Sequence, residues 1–416
     1  MNGRERLAAA LNHIQTEKPP LDFGTCGQTG MSASTMYKLR EALGLPRKPI
    51  KIIEPFQMLG EVDEDLRKML GVDVIGLWNP RTMLGYANEN WKPWTMSDGT
   101  PVLMAEGFEC DIDDKGDVWV YPGGNRNAEY SVHMPKGGFF FDNIMRTPDF
   151  DEDNLTPLDD FKNDFGVASD EDAKYWEDTS IKLFEETDYG IMGNLGGAGF
   201  GDVAMIPGPF LEKPKGIRTI ENWLEAHLLY PDYIKEVYGY QTEIALKNLE
   251  IYRQAVGSRI QVIWLSGTDF GTQNSCFASP QVFRDLYKPF YKRINNWVHK
   301  NTDWKTFYHT CGAIEPLIND MIDMGVDILN PVQCSASGMN PETLKAKYGN
   351  KIVFWGGGVD TQKVLPYGTA EEVTAQVKER VRIFSSGGGY VFAAIHNIVA
   401  KVPPENVVAM FKAFAG

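Results

Sequence analysis

The chain has few cysteines, no long apolar run and no excess of positive charge, and each absence excludes a class of protein. Five cysteines among 416 residues are too few and too scattered for a disulfide scaffold, and their odd number is typical of a reducing compartment. No stretch approaches the roughly 20 apolar residues of a membrane span. A formal net charge of -15 disfavours nucleic acid or an anionic membrane as the main partner. With a charged amphipathic start instead of a signal peptide, the sequence predicts a cytoplasmic protein.

Short apolar runs, each followed by a turn and a helical stretch, recur along the chain. Alternating strands and helices predict a parallel sheet with right-handed crossovers, and eight such units are typical of a closed TIM-type (β/α)8 barrel. A doubly wound open sheet is the alternative, but no Gly-x-Gly-x-x-Gly follows the first strand. The predicted strands are 20–24, 72–78, 190–195, 260–265, 306–309, 326–330, 352–355 and 390–395.

One part of the chain does not fit the strand–helix repeat. Residues 91–141 alternate aromatic and polar side chains around turns such as 97–99 and 114–116, a pattern typical of antiparallel hairpins. We therefore expect one barrel domain over residues 1–416, with a β-rich insertion at about 90–165 between the second and third strands. A lid or partner-docking role is one interpretation of this insertion, and a peripheral elaboration or a homodimer contact is the other.

Two histidines and a cysteine fall at predicted strand ends. His309 and Cys311 leave the end of the fifth strand on the same side, because residues two apart on a strand share a face. His396 follows the eighth strand, and barrel closure would bring it to the same rim. These residues are ligand types that zinc prefers, and three protein ligands leave one position open at a catalytic zinc site. The alternative is that both histidines are hydrogen-bonded structural residues and Cys311 is simply buried.

Polar and aromatic residues at other strand ends are candidates for the same site. Asp269 follows the fourth strand and would be a general acid or base, a partner of a metal ligand or a substrate contact. Asp360 follows the seventh strand after three glycines that permit close approach to a ligand. Either aspartate alternatively caps a turn. Candidate substrate contacts, which are alternatively structural, are Asp22, Asn194, Gln273, Gln333 and Trp355.

Together, these features resemble the uroporphyrinogen decarboxylase superfamily along nearly the whole chain. The resemblance lies in residues 4–13, 220–224, 269–273, 309–312 and the tail from 387 to 406. It implies a TIM-type barrel with its site at the carboxyl ends of the strands. The superfamily includes the decarboxylase itself and zinc-dependent methyltransferases that act with corrinoid proteins.

Two departures from the superfamily pattern distinguish the branches. The decarboxylase resemblance would imply arginines after the first strand, but residues 22–31 contain none, so a substrate with many carboxylates would lack countercharge. In the methyltransferases a His-x-Cys pair and a later cysteine bind zinc. His309 and Cys311 match the pair, whereas His396 stands in the place of the later cysteine. Replacing a thiolate by an imidazole makes the metal less negative and more Lewis-acidic.

The resemblance therefore implies a zinc-dependent methyltransferase that moves a methyl group between a small donor and a corrinoid carried by a partner protein. The harder ligand set favours an oxygen-bound methyl group, such as that of an aromatic methyl ether, over a thiol. A related lyase acting on a smaller carboxylate remains an alternative. A non-catalytic barrel that binds a corrinoid protein or a small ligand is another.

Overall fold

The fold centres on a parallel sheet of seven strands, seen in a computed structural model that describes residues 1–147 and 149–416. All neighbouring strands in this sheet run parallel. The sheet joins an edge strand near the C-terminus to an edge strand from the first quarter of the chain. In spatial order its strands are Tyr390–Val391, Val353–Trp355, Ile328–Asn330, Lys305–His309, Val262–Ser266, Gly190–Gly193 and Val74–Leu77.

Leu21 and Asp22 close the sheet into a barrel. Leu21 forms a parallel bridge to Phe392, beside one edge strand, and Asp22 forms a parallel bridge to Val74 in the other. These two residues therefore hold the position of the first barrel strand, and Val74–Leu77 to Tyr390–Val391 are the second to eighth. The prediction of an α/β barrel is confirmed, and each of the eight predicted runs overlaps a barrel strand or this bridging segment.

Buried apolar side chains fill the barrel. They come from different strands and include Val74, Met192, Val262, Phe307 and Trp355, all of which are buried in one hydrophobic cluster. Layers of alternate side chains of this kind are typical of (β/α)8 barrels. Catalytic side chains are therefore restricted to the rim, because the barrel interior is occupied by packing.

Helices surround the barrel and connect its strands. The predicted helix at 369–384 is observed as Ala370–Ser385, and Thr369 and Glu372 form its capping box. The predicted helix at 280–297 is divided in two at Tyr287, because Pro289 has no N–H to donate to the preceding turn. The α-helices are Gly3–Leu11, Ala33–Ala42, Glu64–Leu70, Pro157–Phe161, Asp170–Glu186, Ile220–Leu229, Pro231–Val256, Pro280–Leu286, Lys288–Asn301, Ile318–Asp323, Pro341–Tyr348, Val364–Tyr367, Ala370–Ser385 and Pro404–Ala415. Short 3-10 helices are Gly27–Thr29, Pro122–Gly124, Glu152–Asn154 and Glu315–Leu317.

Between the second and third barrel strands, the chain forms antiparallel β-structure. Its six strands are Lys92–Thr95, Pro101–Met104, Cys110–Ile112, Val118–Val120, Val132–Met134 and Asp142–Asn143. Two further strands, Ile50–Glu54 and Leu59–Gly60, were not anticipated from the sequence. Ile50–Glu54 pairs in parallel with Pro101–Met104. This pairing ties the β-structure to the connection after the first barrel strand and places Glu54 near the barrel mouth.

None of the helices within the described ranges combines the length and the apolar character that a membrane crossing requires.

The first barrel strand is held at its start by Asp73. The Asp73 side chain accepts a hydrogen bond from the N–H of Leu21 at 2.9 Å and forms an ion pair with Arg6. The Asp73 N–H donates to the Leu21 carbonyl at 2.9 Å. Asp73 therefore links the closing strand, the second barrel strand and the N-terminal helix.

We expect Asp73→Ala to lower the free energy of unfolding by about 3 kcal/mol, because it leaves a buried N–H and the Arg6 guanidinium without their acceptor. Urea denaturation followed by tryptophan fluorescence measures the change. Asp303→Ala, at an exposed loop position, is the control and should have little effect. Equal stability of the two variants would contradict this role of Asp73.

Candidate active site

His309, Cys311 and His396 meet at the rim of the barrel. Their ligand atoms all lie within 4.8 Å of one another, and the Cys311 Sγ is 3.3 Å from the His309 Nε2. The two imidazole rings have centroids 5.2 Å apart. The structure thus brings together the three residues that the sequence analysis selected as a ligand set.

Hydrogen bonds orient each of these three residues. The His309 Nδ1 is 2.5 Å from the Asn330 Oδ1, and Asn330 is itself fixed because its Nδ2 donates to the Trp355 carbonyl. The His396 Nδ1 is 3.0 Å from the Asn397 Oδ1. Because an amide oxygen only accepts, each Nδ1 carries the proton and each Nε2 keeps its lone pair. An imidazole held in this way is prepared to bind a metal ion.

The turn after the fifth barrel strand positions Cys311. Its N–H donates to the Asp269 Oδ1 at 2.7 Å, and the next N–H, of Gly312, donates to the Gln333 Oε1 at 2.8 Å. Gly312 has φ +92°, and a Cβ there would lie 2.3 Å from the backbone of Gly271. A side chain at Gly312 would therefore push apart the two loops that hold Cys311 and Asp269.

Burial controls the protonation of the three residues. It lowers the pKa of His309 to about 4 and also lowers the pKa of His396, so both imidazoles are neutral near pH 7. Burial also raises the pKa of the Cys311 thiol. Zinc requires neutral imidazole and thiolate, and a bound cation offsets the burial of the thiolate charge. The donor set therefore fits a divalent ion of the zinc type.

A cavity of about 880 Å³ opens beside the three residues, and His309, His396 and Asp269 form part of its wall. This volume lies in the range of small-molecule sites. Aromatic side chains form much of the remaining wall. They are Phe56, Trp78, Phe139, Phe140, Phe141, Phe161, Phe165, Phe210, Trp223, Tyr238 and Trp264.

Negative charge predominates among the ionisable wall residues. The carboxylates in the wall are Glu54, Asp142, Asp164, Asp202 and Asp269. Within the described part of the chain, the one guanidinium or ammonium group in the wall belongs to Arg81, whose side chain is 58% exposed and lies 3.8 Å from Asp172. Asp164 is neutralised by a 2.7 Å ion pair with Arg218 from behind the wall. The cavity therefore has carboxylates without countercharge and no enclosed cation.

Two of these carboxylates titrate near neutral pH. Burial raises the pKa of Glu54 to about 7, although the N–H groups of Phe56 and Gln57 bind the carboxylate. Burial and the nearby Asp269 carboxylate raise the pKa of Asp202 to about 7. Both residues are half-buried and line the cavity.

The other residues predicted for the site are divided between the cavity wall and the structure behind it. Asn194 lines the cavity, and its Nδ2 donates to the Thr25 carbonyl at 2.9 Å. Asp22 and Trp355 form a buried pair, with the Trp355 Nε1 donating to the Asp22 Oδ2 at 2.7 Å. Neither of these two paired residues is part of the wall.

Gln333, Asp360 and Gln273 also lie outside the wall. Gln333 supports the turn after Cys311, as described above. The Asp360 carboxylate caps a turn by accepting the N–H of Gln362 at 2.8 Å, and Gln273 meets Gln362 across two loops at 3.4 Å. In the structure these residues contact the protein's own loops.

Sequence reasoning missed several wall residues. Asp202 lies eight positions after Asn194, in the connection that follows the third barrel strand. Its place after a strand end is the one sequence feature that could have indicated a site residue. Glu54 belongs to a strand outside the barrel. Gln241 lies within the long helix Pro231–Val256, where no local pattern distinguishes a cavity residue from a surface residue.

We expect Glu54→Gln to flatten the pH dependence of stability. Because the folded Glu54 binds its proton more tightly than the unfolded one, its stabilising contribution is complete below about pH 4.5 and is lost as the pH rises through about 7. The effect is at most about 3 kcal/mol. Thermal unfolding measured from pH 5 to pH 8 should show a smaller decline for Glu54→Gln than for the wild type. The exposed Glu89→Gln is the control, and a decline as steep as in the wild type would count against the raised pKa of Glu54.

Comparison with known proteins gives a family match for the C-terminal part of the chain. The model of the uroporphyrinogen decarboxylase (URO-D) family matches residues 211–416, which include all three rim residues. Comparison with curated protein sequences returns no match.

Comparison with solved structures gives one match above a TM-score of 0.5. A "methyltransferase from Methanosarcina mazei" superposes with a TM-score of 0.55 at 16% identity, covering 100% of this chain and 98% of that chain. A GH113 β-1,4-mannanase matches with a TM-score of 0.30 at 10% identity, covering 59% of this chain and 79% of that chain. The homocysteine methyltransferase MmuM from Escherichia coli has a TM-score of 0.20 at 8% identity, covering 46% and 88%. The last two are too distant to inform the site.

The family match thus falls on the half of the chain that carries His309, Cys311 and His396, and the fold around it agrees over the full length. Residues 211–416 of this chain match the uroporphyrinogen decarboxylase (URO-D) family.

Proposed function

We propose that this protein is a zinc-dependent methyltransferase that moves a methyl group between a small donor and a corrinoid protein. The observation that carries the proposal is the convergence of His309, Cys311 and His396, two of which, His309 and His396, line the large cavity. The structurally similar protein from Methanosarcina mazei is a methyltransferase, which supports the same reaction class.

In this proposal two imidazole nitrogens and one thiolate hold the metal. Three protein ligands are the usual number at a catalytic zinc, where a substrate atom or water takes the fourth position. When bound there, zinc would supply Lewis acidity toward an oxygen atom of the substrate. Asn330 and Asn397 keep the two Nε2 lone pairs available, and Asp269 holds the backbone of Cys311 in place.

We further propose that the donor is an O-methyl compound of aromatic character. His396 makes the ligand set poorer in thiolate than a His-Cys-Cys set, which favours an oxygen ligand. The aromatic side chains of the cavity wall supply a surface on which a planar ring packs. Asp269 and Asn194 present polar groups to a bound donor, whereas Asp22, Trp355, Gln273, Gln333 and Asp360 support the loops behind the wall.

The corrinoid partner would approach the mouth of the cavity. Phe140 and Val399 both line the cavity, yet their side chains are 55% and 49% exposed, so they mark its opening. The β-rich insertion, at about 90–165, supplies Phe140, which supports a docking role for it. Its buried side chains Val102 and Met104 join the same core cluster as the barrel, which supports a single domain over residues 1–416.

The charge of the wall argues against decarboxylation of a carboxylate substrate. Within the described residues, the wall encloses no lysine or arginine, so a bound carboxylate would lose its hydration without gaining a countercharge. Burying an unpaired carboxylate in this way is costly. Methyl transfer from a donor without a carboxylate avoids this cost.

The metal assignment predicts a specific loss of zinc. We expect the wild type to hold one zinc ion per chain, and Cys311→Ser and His309→Ala to lose at least nine-tenths of it, because two remaining ligands bind weakly. Atomic emission of dialysed protein measures the zinc content. Cys276→Ser is the matched control, since Cys276 is a half-buried cysteine outside the cluster. Full zinc content in Cys311→Ser would refute the assignment.

The charge of the wall predicts discrimination between two donors that differ only in a carboxylate. With cob(I)alamin as the methyl acceptor, we expect 2-methoxyphenol to be demethylated at least tenfold more efficiently than 4-hydroxy-3-methoxybenzoate, since about 1.4 kcal/mol of uncompensated carboxylate desolvation corresponds to that factor. The absorbance of methylcobalamin reports the rate. A preference for the benzoate would contradict the charge argument, and no methyl transfer from any ether would contradict the proposed donor class.

A further inference from the structure

We propose that Asp202 donates the proton that the leaving oxygen requires when a methyl ether is cleaved in this cavity. This inference rests on the proposed function. It adds a proton donor, a role that His309, Cys311 and His396 do not fill in the proposal. Asp202 lies in the connection after the third barrel strand, in the cavity wall that also includes Asp269 and His309.

The reaction requires one proton. The bond between the ether oxygen and the methyl carbon breaks, and its electron pair stays on oxygen. The new bond to the methyl carbon uses an electron pair of the Co(I) corrinoid, which is thereby oxidised to the Co(III) level. The departing oxygen then carries a negative charge, and a proton delivered to it completes the alcohol or phenol product. A positioned acid that supplies this proton accelerates such a step by about 10² to 10⁴.

Other acids of the wall are already engaged. The Asp269 Oδ1 accepts the N–H of Cys311 and lies 3.6 Å from the His309 Nε2, so this carboxylate serves the ligand set. Glu54 uses one oxygen for the N–H of Phe56 and the other for that of Gln57, both at 2.9 Å. Asp164 is bound to Arg218, and Asp142 is exposed to solvent.

Asp202 lines the cavity and has one carboxyl oxygen without a hydrogen-bond donor among the described residues. Its Oδ1 accepts the N–H of Ala204 at 2.9 Å, whereas its Oδ2 accepts no hydrogen bond from the described residues. No lysine, arginine or histidine in the described ranges forms an ion pair with it. The neighbouring wall residue Gly267 has no side chain, and a Cβ there would lie 3.6 Å from this Oδ2. The free oxygen can therefore hold a proton and reach a ligand.

The charged and titratable groups around Asp202 keep it protonated. Burial raises its pKa to about 7, and the Asp269 carboxylate across the cavity acts in the same direction. The Tyr291 hydroxyl, on the helix Lys288–Asn301, is the other titratable group that interacts with it, and the pKa of Tyr291 is itself raised by burial, so this group is neutral. The proton is thus present at and below about pH 7 and is lost as the pH rises further.

A leaving-group series tests the role of Asp202. Zinc-loaded wild type and Asp202→Asn are compared on ring-substituted methoxybenzenes, with cob(I)alamin as the acceptor. We expect Asp202→Asn to lose about 10² in kcat or more on donors that release weakly acidic phenols, and to lose little on nitro-substituted donors whose phenols leave without a proton. The slope of log kcat against the pKa of the released phenol should therefore become steeper.

Two further variants separate proton donation from structural support. Asp202→Glu keeps an acid and should recover part of the activity, together with the fall in rate above about pH 7 that Asp202→Asn lacks. Asp232→Asn makes the same chemical change at a surface position and should match the wild type. An unchanged leaving-group slope in Asp202→Asn, with zinc content and thermal stability preserved, would overturn the inference while leaving the proposed methyl transfer intact.

A spectroscopic measurement tests the protonation of Asp202 without any turnover. The infrared difference spectrum between pH 6 and pH 9 should contain the carbonyl stretch of a protonated carboxylic acid in the wild type, and this band should be weaker in Asp202→Asn. Equal bands in the two proteins would show that Asp202 holds no proton at pH 6 and would overturn the inference. Inactivity of the wild type on every ether would instead overturn both the inference and the proposed donor class.

Discussion

Barrel closure is the constraint on which the candidate site depends. Leu21 and Asp22 bridge the two edge strands, and this closure brings the end of the eighth strand round to the end of the fifth. Without it, His396 and the His309–Cys311 pair would lie on separate parts of an open sheet. Asp73 holds the first strand through its hydrogen bonds to Leu21. Because the first strand closes the barrel, Asp73 also contributes to the positions of His309, Cys311 and His396.

The ligand set is also connected to the barrel interior. His309 is oriented by Asn330, Asn330 donates to the carbonyl of Trp355, and the Trp355 indole donates to the buried carboxylate of Asp22. These four residues come from the fifth, sixth, seventh and first barrel strands. A continuous row of hydrogen bonds across the barrel thus fixes the His309 imidazole more firmly than a loop contact would.

The cavity beside this row of hydrogen bonds is bounded mainly by segments outside the barrel strands. Its wall is built from loops, from the strand Ile50–Glu54 outside the barrel and from the β-rich insertion, and it combines aromatic rings with carboxylates that lack countercharge. Burying such carboxylates costs stability, and a protein keeps them where the charge pattern serves a ligand. The separation of a rigid strand framework from a variable wall of loops is the arrangement by which (β/α)8 barrels accommodate different substrates.

The sequence alone determined the strands and the ligand types. The eight apolar runs, the His-x-Cys spacing and the place of His396 after the last strand are local patterns, and parallel strands in a barrel necessarily present their carboxyl ends at one rim. The tertiary structure decided which polar residues face the cavity. Asp22 and Trp355 bind each other behind the wall, whereas Glu54 and Asp202 face the cavity from segments without a distinctive pattern. Their direction depends on contacts between distant parts of the chain, such as the pairing of Ile50–Glu54 with Pro101–Met104, and local residue spacing carries no information about such contacts.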